Sequence, residues 1–266
     1  MQLAKGESTP QRGRKVVMNR LVITVGGGTR GIGLAILEEF RSHGCDIKAY
    51  HCRRDRSCPG KNYFFDANQE ESLEETKASI MKEIEANRIH KEVIIVFLTG
   101  GGNPGLNEQE SEETKTSRMK RIYRHNYDVP TEITDLILEN SAKKENTNNI
   151  KLVFLSSAVA LHKNANPHYC AAKSALETYF QATFKQKRSE VKMYLYRLGM
   201  VDVKHKYLHS LSVDSPDEFR ELLEGTVPSN HFSKPEEVAR IIRKTVLDSN
   251  TCNGIICDVS GGNSWQ

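Results

Sequence analysis

Seven short apolar runs recur along the chain, separated by longer segments in which hydrophobic positions follow helical spacing. Most of these runs are hydrophobic at nearly every position, which is typical of a strand buried on both faces of a sheet, whereas Asp46–His51 mixes polar and apolar positions. The predicted strands are Leu21–Val25, Asp46–His51, Tyr63–Phe65, Val93–Leu98, Lys151–Leu155, Tyr194–Leu198 and Gly254–Val259. The helices predicted between them include residues 34–44, 69–90, 114–140 and 236–248. This alternation predicts an α/β fold, one doubly wound parallel sheet of about seven strands with helices on both faces.

The chain shows no linker-like break after its first 17 residues. Residues 1–17 are polar and basic, and we expect them to be a disordered leader. Residues 18–266 are predicted to form a single domain. Residues 203–231 are polar and contain two prolines and one glycine, a composition that suits a mobile lid over a cleft.

The formal net charge of +4 does not indicate a nucleic-acid-binding surface. Residues 1–20 contain five basic side chains and one acidic one, whereas the rest of the chain contains 33 of each sign. No run of about 18 apolar residues occurs, and the N-terminus lacks the apolar core of a signal peptide. We therefore expect a cytoplasmic protein that uses neither nucleic acid nor membrane as a partner. The six cysteines show no metal-ligand spacing, so we expect free thiols and no metal site.

A glycine-rich turn directly follows the first predicted strand and opens an amphipathic helix. This turn, residues 26–33, reads GGGTRGIG. Strand, turn and helix together form a cradle for nucleotide phosphates, because glycines let the backbone approach closely and a helix N-terminus attracts anions. The cofactor-binding residues predicted here are Gly27, Thr29, Arg30, Gly31, Ile32 and Gly33.

The end of the second strand is where a dinucleotide's adenosine ribose is recognised in sheets of this kind. A carboxylate there would bind the ribose 2′-hydroxyl and repel a 2′-phosphate, but no acid follows the strand before Asp55. Arg53 and Arg54 are present instead, and Arg30 in the glycine turn can approach the same place. Because guanidinium groups suit phosphate, we predict NADP(H) as the cofactor. Which of Arg53 and Arg54 points inward stays open.

Other candidates follow the third and fourth strands or lie within a helix. Asp66, which precedes Ala67, can accept from an adenine amino group or cap the next helix. Gly100, in a second glycine-rich turn, would let the backbone pass close to the cofactor. Asn126 lies in mid-helix, where its amide competes with backbone hydrogen bonds. A buried water or a kink would explain Asn126, and so would an exposed position.

Tyr169 and Lys173 are spaced by one helical turn, so a phenol and an ammonium group can face one cleft. A fixed ammonium favours the phenolate and eases proton exchange with a substrate. Ser157 follows the fifth predicted strand and precedes Tyr169 by 12 residues. The spacing alone is a weak pattern. It gains weight because all these candidates lie at carboxyl ends of strands or on the following helices, where doubly wound sheets bind ligands.

In combination, these motifs resemble the short-chain dehydrogenase/reductase family over about residues 18–263. The matching segments are GGGTRGIG (26–33), Asp66, NYDVP around Asn126, SSAVA around Ser157, YCAAKSAL (169–176), LGMVDV (198–203), SKPEEVA (233–239) and GIICDVSGG (254–262). Each segment is weak evidence by itself, but eight in the right order form a strong signal. The resemblance implies a Rossmann-type fold and an oxidoreductase.

The resemblance further implies an NADPH-dependent reductase that transfers a hydride to a ketone or aldehyde of a small molecule. Tyr169 would be the general acid, and Lys173 would assist it and bind the nicotinamide ribose. Ser157 would orient the substrate carbonyl, and Asn126 would hold a water that relays protons to Lys173. The remaining implied contacts are Ala158 and Met200 to the substrate, with Ser157, and Val201, Tyr169 and Lys173 to the cofactor.

The chain departs from the family pattern at several places. Gly26 replaces the opening threonine, and residues 98–101 read LTGG where the family has Asn-Asn-Ala-Gly. The lost amides predict altered bracing of the sheet more than lost chemistry. The serine-to-tyrosine spacing is one residue shorter than is common; Ser156 would restore it, but the SSAVA pattern favours Ser157. Leu198 replaces the proline of a Pro-Gly pair.

Three other functions remain open at this point. The same site could oxidise an alcohol with NAD(P)+, the protein could be a cofactor-bound regulatory relative without catalysis, or the basic leader could bind nucleic acid. The presence of the tyrosine, lysine and serine together favours catalysis. Family members commonly assemble through the helices that hold Asn126 and Tyr169, so the resemblance implies a homotetramer or homodimer. The sequence does not identify the substrate, although residues 158–168 and the predicted lid should line its pocket.

Overall fold

The computed structural model describes residues 19–86, 91–100, 115–141, 150–162, 165–187, 191–203, 227–249 and 251–262, together with positions 217, 221 and 225. The predicted basic leader and most of the predicted lid lie outside the described residues. Within the described part of the chain, no helix combines the length and the apolar character needed to cross a bilayer.

Seven parallel strands form one sheet at the centre of the fold. They are β1 (Asn19–Val25), β2 (Asp46–His51), β3 (Lys61–Phe64), β4 (Lys91–Phe97), β5 (Ile150–Ser157), β6 (Lys192–Leu198) and β7 (Ile255–Val259). Their order is β3-β2-β1-β4-β5-β6-β7, and every adjacent pair is parallel. The predicted doubly wound, Rossmann-type α/β fold is therefore confirmed. The strand order reverses between β1 and β4, which opens a crevice at their carboxyl ends.

The described helices lie on both faces of this sheet. They are α1 (Gly31–Ser42), α2 (Glu70–Ala86), α3 (Lys115–Tyr123), α4 (Val129–Ser141), α5 (Val159–His162), α6 (Pro167–Lys187) and α7 (Pro235–Arg243). Short α5 lies within the predicted loop 158–168, so that stretch is partly helical.

Two predicted helices are not continuous α-helices. A first π turn, Arg124–Asp128, separates α3 from α4, and a second π turn, Lys244–Asp248, follows α7. In the first, the Asn126 side-chain Nδ2 donates to the carbonyl oxygen of Ile122 (2.8 Å). The amide therefore competes with a backbone N–H for the Ile122 carbonyl oxygen. This competition weakens the regular α-helical hydrogen bonding and favours a local π turn.

A buried lysine accounts for the second π turn. Lys151 on β5 is 2% exposed, and its Nζ donates to the carbonyl oxygen of Val246 (2.5 Å). The same ammonium pairs with Glu92, which also binds Arg20. The lysine therefore takes a carbonyl that a regular helix would use internally. This arrangement lies toward the amino ends of the strands, away from the crevice.

The hydrophobic core is divided by the sheet into two layers. Alternate residues of β1 show the division, since Ile23 packs with residues of α2, α4 and α6 while Val22 packs with residues of α1 and α7. Both side chains are fully buried. Burial of each such aliphatic side chain contributes about 1.5–3 kcal/mol. Both layers hold the strand ends rigidly, so the residues that follow the strands occupy fixed positions.

Candidate active site

The glycine turn and the start of α1 form a narrow backbone cradle. Gly27 and Gly28 have positive φ angles of +109° and +102°. A Cβ built on Gly33 would lie 2.7 Å from the backbone nitrogen of Gly28, so only glycine lets the turn close against the helix. Helix α1 begins at Gly31, with Arg30 in extended conformation before it. The free N–H groups of its first turn consequently face the crevice.

A cavity of about 990 Å³ extends along this cradle. The whole predicted turn lines it, as do Gly100 after β4 and Leu155 on β5. All six turn residues predicted to bind a cofactor are among the lining residues: Gly27, Thr29, Arg30, Gly31, Ile32 and Gly33. The switch point of the sheet and the glycine cradle therefore enclose one continuous space.

The end of β2 distinguishes the two neighbouring arginines. Arg53 lines the cavity, together with His51 and Cys52. Arg54 is not among the described lining residues; its guanidinium carbon lies 3.9 Å from the ring centroid of Phe64, which is 42% exposed. The question left open by the sequence is thus answered in favour of Arg53 as the inward residue.

His51 is a cavity residue that the sequence analysis missed. It is the last residue of β2 and only 5% exposed, and its Nε2 lies 2.8 Å from Asn62 Oδ1. Its Nδ1 is buried and has no hydrogen-bond partner within the described ranges. The signal that could have identified it is its position at the strand end, where a ribose-binding residue is expected.

The Asp66 carboxylate holds the turn that leads into α2. One carboxylate oxygen accepts from the backbone N–H of Asn68 (3.0 Å), and the other accepts from Gln69 Nε2 (3.2 Å). These bonds fix the turn that leads into α2, which matches the capping alternative. Ala67 lines the cavity, whereas Asp66 is not among the described lining residues.

An acidic cluster near the start of α2 is neutralised by basic side chains. Carboxylate oxygens of Glu70, Glu74 and Glu132 lie within 4.8 Å of one another. Arg124 pairs with Glu70 and Glu132, and Lys77 pairs with Glu74 and Glu132. Arg124 also donates to the carbonyl oxygen of Ala67 (3.0 Å), a cavity residue. The cluster therefore ties the first π turn to the wall of the cavity.

Lys173 is buried beside the cavity wall; it is not itself among the described lining residues, and neither are Asn126, Ser157 and Tyr169. Lys173 is 4% exposed, and its Nζ donates to the carbonyl oxygen of Leu155 (2.8 Å), which lines the cavity. The same Nζ lies 5.8 Å from the ring centroid of Tyr169. Burial lowers the pKa of Lys173 to about 8, against the opposing influence of the Glu177 carboxylate. The ammonium form therefore still predominates at pH 7.

Asn126 and Lys173 converge on Gly100. A Cβ built on Gly100 would lie 3.7 Å from Asn126 Oδ1 and 3.9 Å from Lys173 Nζ. Asn126 is fully buried, so the mid-helix asparagine is an interior residue at a helix irregularity and not an exposed one. The structure thus brings together two of the four predicted catalytic side chains across a residue that lines the cavity.

The two serines at the end of β5 point to different partners. The Ser156 hydroxyl is buried and donates to Glu177 Oε1 (2.7 Å) on α6. Ser157 is half-buried, and its Oγ accepts from the backbone N–H of Val159 (3.5 Å). Since Ser156 is engaged in the interior, Ser157 is the serine whose hydroxyl suits a ligand contact.

The remaining predicted contacts lie close to the cavity without forming its described wall. Ala158 is buried, and its N–H donates to the carbonyl oxygen of Leu198 (2.9 Å). Met200 is half-buried, and Val201 forms a parallel bridge to Ser233. The segment that does line the cavity after β6 consists of the next two residues, 202 and 203.

Comparison with known proteins agrees with this geometry. The family model for short chain dehydrogenases matches residues 21–208, well over half of the chain. The protein therefore belongs to the short-chain dehydrogenase/reductase family, an oxidoreductase family that uses nicotinamide cofactors. A search of curated proteins found no match.

Solved structures with the same fold cover nearly the whole chain. The ligand-free aldohexose dehydrogenase of Thermoplasma acidophilum has a TM-score of 0.75 and 18% identity, over 94% of this chain and 96% of that one. A short chain dehydrogenase/reductase family protein has a TM-score of 0.71 and 17% identity, over 94% and 99%. A 4-hydroxyisoleucine dehydrogenase complexed with NADH has a TM-score of 0.69 and 13% identity, over 92% and 99%. At these identities the likeness shows the fold alone.

Proposed function

We propose that this oxidoreductase is an NADPH-dependent reductase of a ketone or aldehyde group in a small molecule. The observation that carries the proposal is the position of Lys173. Its buried ammonium lies one helical turn from Tyr169 and beside Asn126, and it bonds the backbone of Leu155 at the wall of the glycine-lined cavity. This arrangement supports a role for the pair as proton donor beside a nucleotide-binding cradle.

The residues present fit a nicotinamide dinucleotide. At Gly33 the cradle has no room for a side chain. The N–H groups of the first turn of α1 can still bind a phosphate. Thr99 lines the cavity, and its Oγ1 is buried without a hydrogen-bond partner among the residues described. Buried hydroxyls are usually hydrogen-bonded, so this oxygen fits a contact with a bound cofactor. When bound, the reduced cofactor supplies the hydride.

Tyr169 and Ser157 act on the carbonyl oxygen in this proposal. Hydride addition places negative charge on that oxygen, and two hydroxyl donors directed at it stabilise the transition state. Tyr169 then transfers its proton to the oxygen as the general acid, which completes the alcohol. Ser157 keeps its proton and orients the carbonyl.

Lys173 and Asn126 support the proton transfer. The Lys173 ammonium favours the phenolate that Tyr169 becomes when it gives up its proton. Its bond to the carbonyl oxygen of Leu155 holds the ammonium at one place (2.8 Å). Asn126 lies within reach of the same region, so it can hold a water that returns a proton to the site.

The preference for a 2′-phosphate rests on this chain's own side chains. Arg30 and Arg53 both line the cavity, and no acid lies between the end of β2 and Asp55. His51 occupies the strand end with a buried ring nitrogen that has no described partner. Two guanidinium groups favour a phosphate over a hydroxyl at this place.

A direct test combines cofactor binding with turnover. NADPH and NADH are titrated into the protein while nucleotide fluorescence is followed, and a panel of aldehydes and ketones is then screened by loss of NADPH absorbance. We expect NADPH to bind at least about tenfold more tightly than NADH, the equivalent of one charge-assisted phosphate contact. Equal affinity would contradict the cofactor choice. Turnover of alcohols with NADP+ but of no carbonyl compound would contradict the direction.

We also propose assembly of the protein into a homodimer or homotetramer through α4 and α6. These helices are joined at their surface, where Tyr179 OH donates to Asp135 Oδ1 (2.5 Å), and they run side by side. The resemblance to the family supports this choice of surface. Light scattering coupled to size-exclusion chromatography measures the mass, and a monomer at micromolar concentration would contradict it.

A further inference from the structure

A buried charged network lies directly behind Lys173. Glu177, one turn further along α6, is 5% exposed. Arg197 on β6 donates from Nε to both of its carboxylate oxygens (3.0 Å each) and from Nη2 to Oε2 (2.7 Å). Ser156 on β5 adds a third donor (2.7 Å). The carboxylate is therefore fixed from two strands and cannot rotate away.

The sheet register explains why these donors meet. Ser156 and Arg197 are direct partners in the β5–β6 ladder, so their side chains project side by side toward α6. The Glu177 carboxylate accepts hydrogen bonds from both side chains. The pair Glu177–Arg197 has no net charge. Its carboxylate, however, belongs to α6, the helix that holds Lys173, while its guanidinium belongs to β6. The field at the ammonium is consequently that of an oriented dipole in a poorly solvated interior.

Among the residues that the structure describes, four ionisable groups bear on Lys173 directly or through a partner. On α6 these are Glu177 and the ionisable phenol of Tyr169; from β6 comes Arg197, held by Glu177; and Asp258 on β7 acts on Arg197. The first π turn contributes the neutral side chain of Asn126. Burial lowers the pKa of Lys173 and so disfavours its ammonium form. The Glu177 carboxylate raises that pKa and so favours the ammonium form.

We infer that Glu177 is a positioning residue for catalysis: held by Arg197 and Ser156, its carboxylate keeps Lys173 in the ammonium form at neutral pH. The chemical consequence rests on the proposed function, because the ammonium matters only if Tyr169 donates a proton. The electrostatic part does not depend on that function: Lys173 and Glu177 are one turn apart on α6 and bond to the adjacent β5 residues Leu155 and Ser156. The two parts can therefore be tested separately.

The electrostatic part is tested by NMR of the full-length protein labelled with 13C-lysine. The Cε resonance of Lys173, assigned by its absence in a Lys173→Arg variant, is titrated in wild type, Glu177→Gln and Arg197→Gln. The glutamine at 177 keeps a hydrogen-bonding side chain but removes the charge. We expect the titration midpoint to fall by at least about one pH unit in Glu177→Gln, the usual size of a buried neighbouring charge effect. In Arg197→Gln it should stay or rise.

A double variant, Glu177→Gln with Arg197→Gln, guards against misfolding caused by an unpaired, partly buried arginine. Its Lys173 midpoint should lie below that of wild type and above that of Glu177→Gln. Unchanged midpoints in all three variants would overturn the inference, as would shifts of the same direction and size in Glu177→Gln and Arg197→Gln. The latter result would show a purely structural network.

The catalytic part is tested by the pH profile of kcat/KM for NADPH-dependent reduction of 4-nitrobenzaldehyde, or of the best compound from the carbonyl panel. We expect the alkaline limb of Glu177→Gln to move toward lower pH by the shift seen in the NMR titration. A lower NMR midpoint with an unmoved limb would contradict the catalytic role while leaving the electrostatic one intact. If wild type reduces no carbonyl compound, the proposed function fails, and the NMR result is unaffected.

Discussion

Thr99 occupies the space that a side chain at position 26 would need. A Cβ built on Gly26 would lie 2.4 Å from Thr99 Cγ2 and 2.8 Å from its Cα. These are two of the positions at which the chain departs from its family's pattern, a glycine for a threonine and a threonine for an asparagine. The two departures are therefore complementary, because the missing side chain on one strand end makes room for the branched one on the next.

The contact predicts a large cost for Gly26→Ala. Gly26 and Gly44 have nearly the same backbone strain for alanine, with φ angles of +83° and +79°, but nothing lies within 4 Å of a Cβ at Gly44. Gly44→Ala should lower the free energy of unfolding by about 1 kcal/mol from the left-handed conformation alone. Gly26→Ala should lower it by about 3 kcal/mol or more, since backbone must also move. Urea unfolding measures both, and equal losses would refute the steric argument.

The two arginines after β2 should differ in their effect on cofactor binding. Arg53→Ala removes a cavity residue and should weaken NADPH binding by about tenfold or more while changing NADH binding little. Arg54→Ala removes a contact with the Phe64 ring and no described wall of the cavity, so it serves as the matched control. Fluorescence titration of both nucleotides checks this. A larger loss of NADPH affinity in Arg54→Ala than in Arg53→Ala would reverse the assignment.

Tyr169→Phe should abolish most of the reductase activity without altering the fold. Loss of a positioned general acid typically costs about 10²–10⁴ in rate. The phenyl ring still fills the same space, so the NADPH dissociation constant should stay within about twofold of wild type. Steady-state kinetics and the fluorescence titration are measured on the same preparation. Turnover within a fewfold of wild type would show that another group supplies the proton.

Lys173→Met should stabilise the protein at neutral pH while removing activity. Burial lowers the pKa of Lys173 from 10.5 to about 8, so below pH 8 the folded state carries a buried ammonium that the unfolded state solvates. We expect a gain of about 1–3 kcal/mol at pH 7, less the lost bond to Leu155. Between about pH 8 and 10.5 the folded wild type releases its proton first, so the difference should shrink. Urea unfolding of wild type and Lys173→Met at pH 7 and 9.5 measures this difference in the free energy of unfolding. The same difference at both pH values would contradict the argument.

The sequence predicted the architecture because most of the strands are short, largely apolar runs between segments of helical spacing. Asp46–His51 was predicted with its observed bounds, and the glycine turn was placed against the cavity that the structure shows. Strand-end positions could be inferred because a parallel sheet gathers all its carboxyl ends at one edge. His51 shows the limit of that logic, because the charged side chains that follow it, Arg53 and Arg54, carry the stronger signal for a phosphate.

Other features depend on information that the chain pattern does not carry. The π turn at Arg124–Asp128 leaves no distinct period in the hydrophobic positions, so a continuous helix was predicted there. Glu177 and Arg197 lie 20 residues apart on a helix and a strand, and the packing of α6 against the sheet brings them together, beside Ser156, the β5 partner of Arg197. Ser156 and Ser157 likewise could be separated only by knowing which of them faces α6.

The first π turn carries a consequence for how this chain is compared with its relatives. A π turn holds one residue more than the α-helical turn it replaces, so it behaves as a one-residue insertion whose flanks remain helical. A relative with a straight helix here would align only across a gap at Arg124–Asp128. An alignment without that gap would displace α3 by one position, about 100° around the helix axis, and would pair exposed residues with buried ones. Relatives of this chain should therefore be aligned on the π turn itself, with Asn126 as its middle residue.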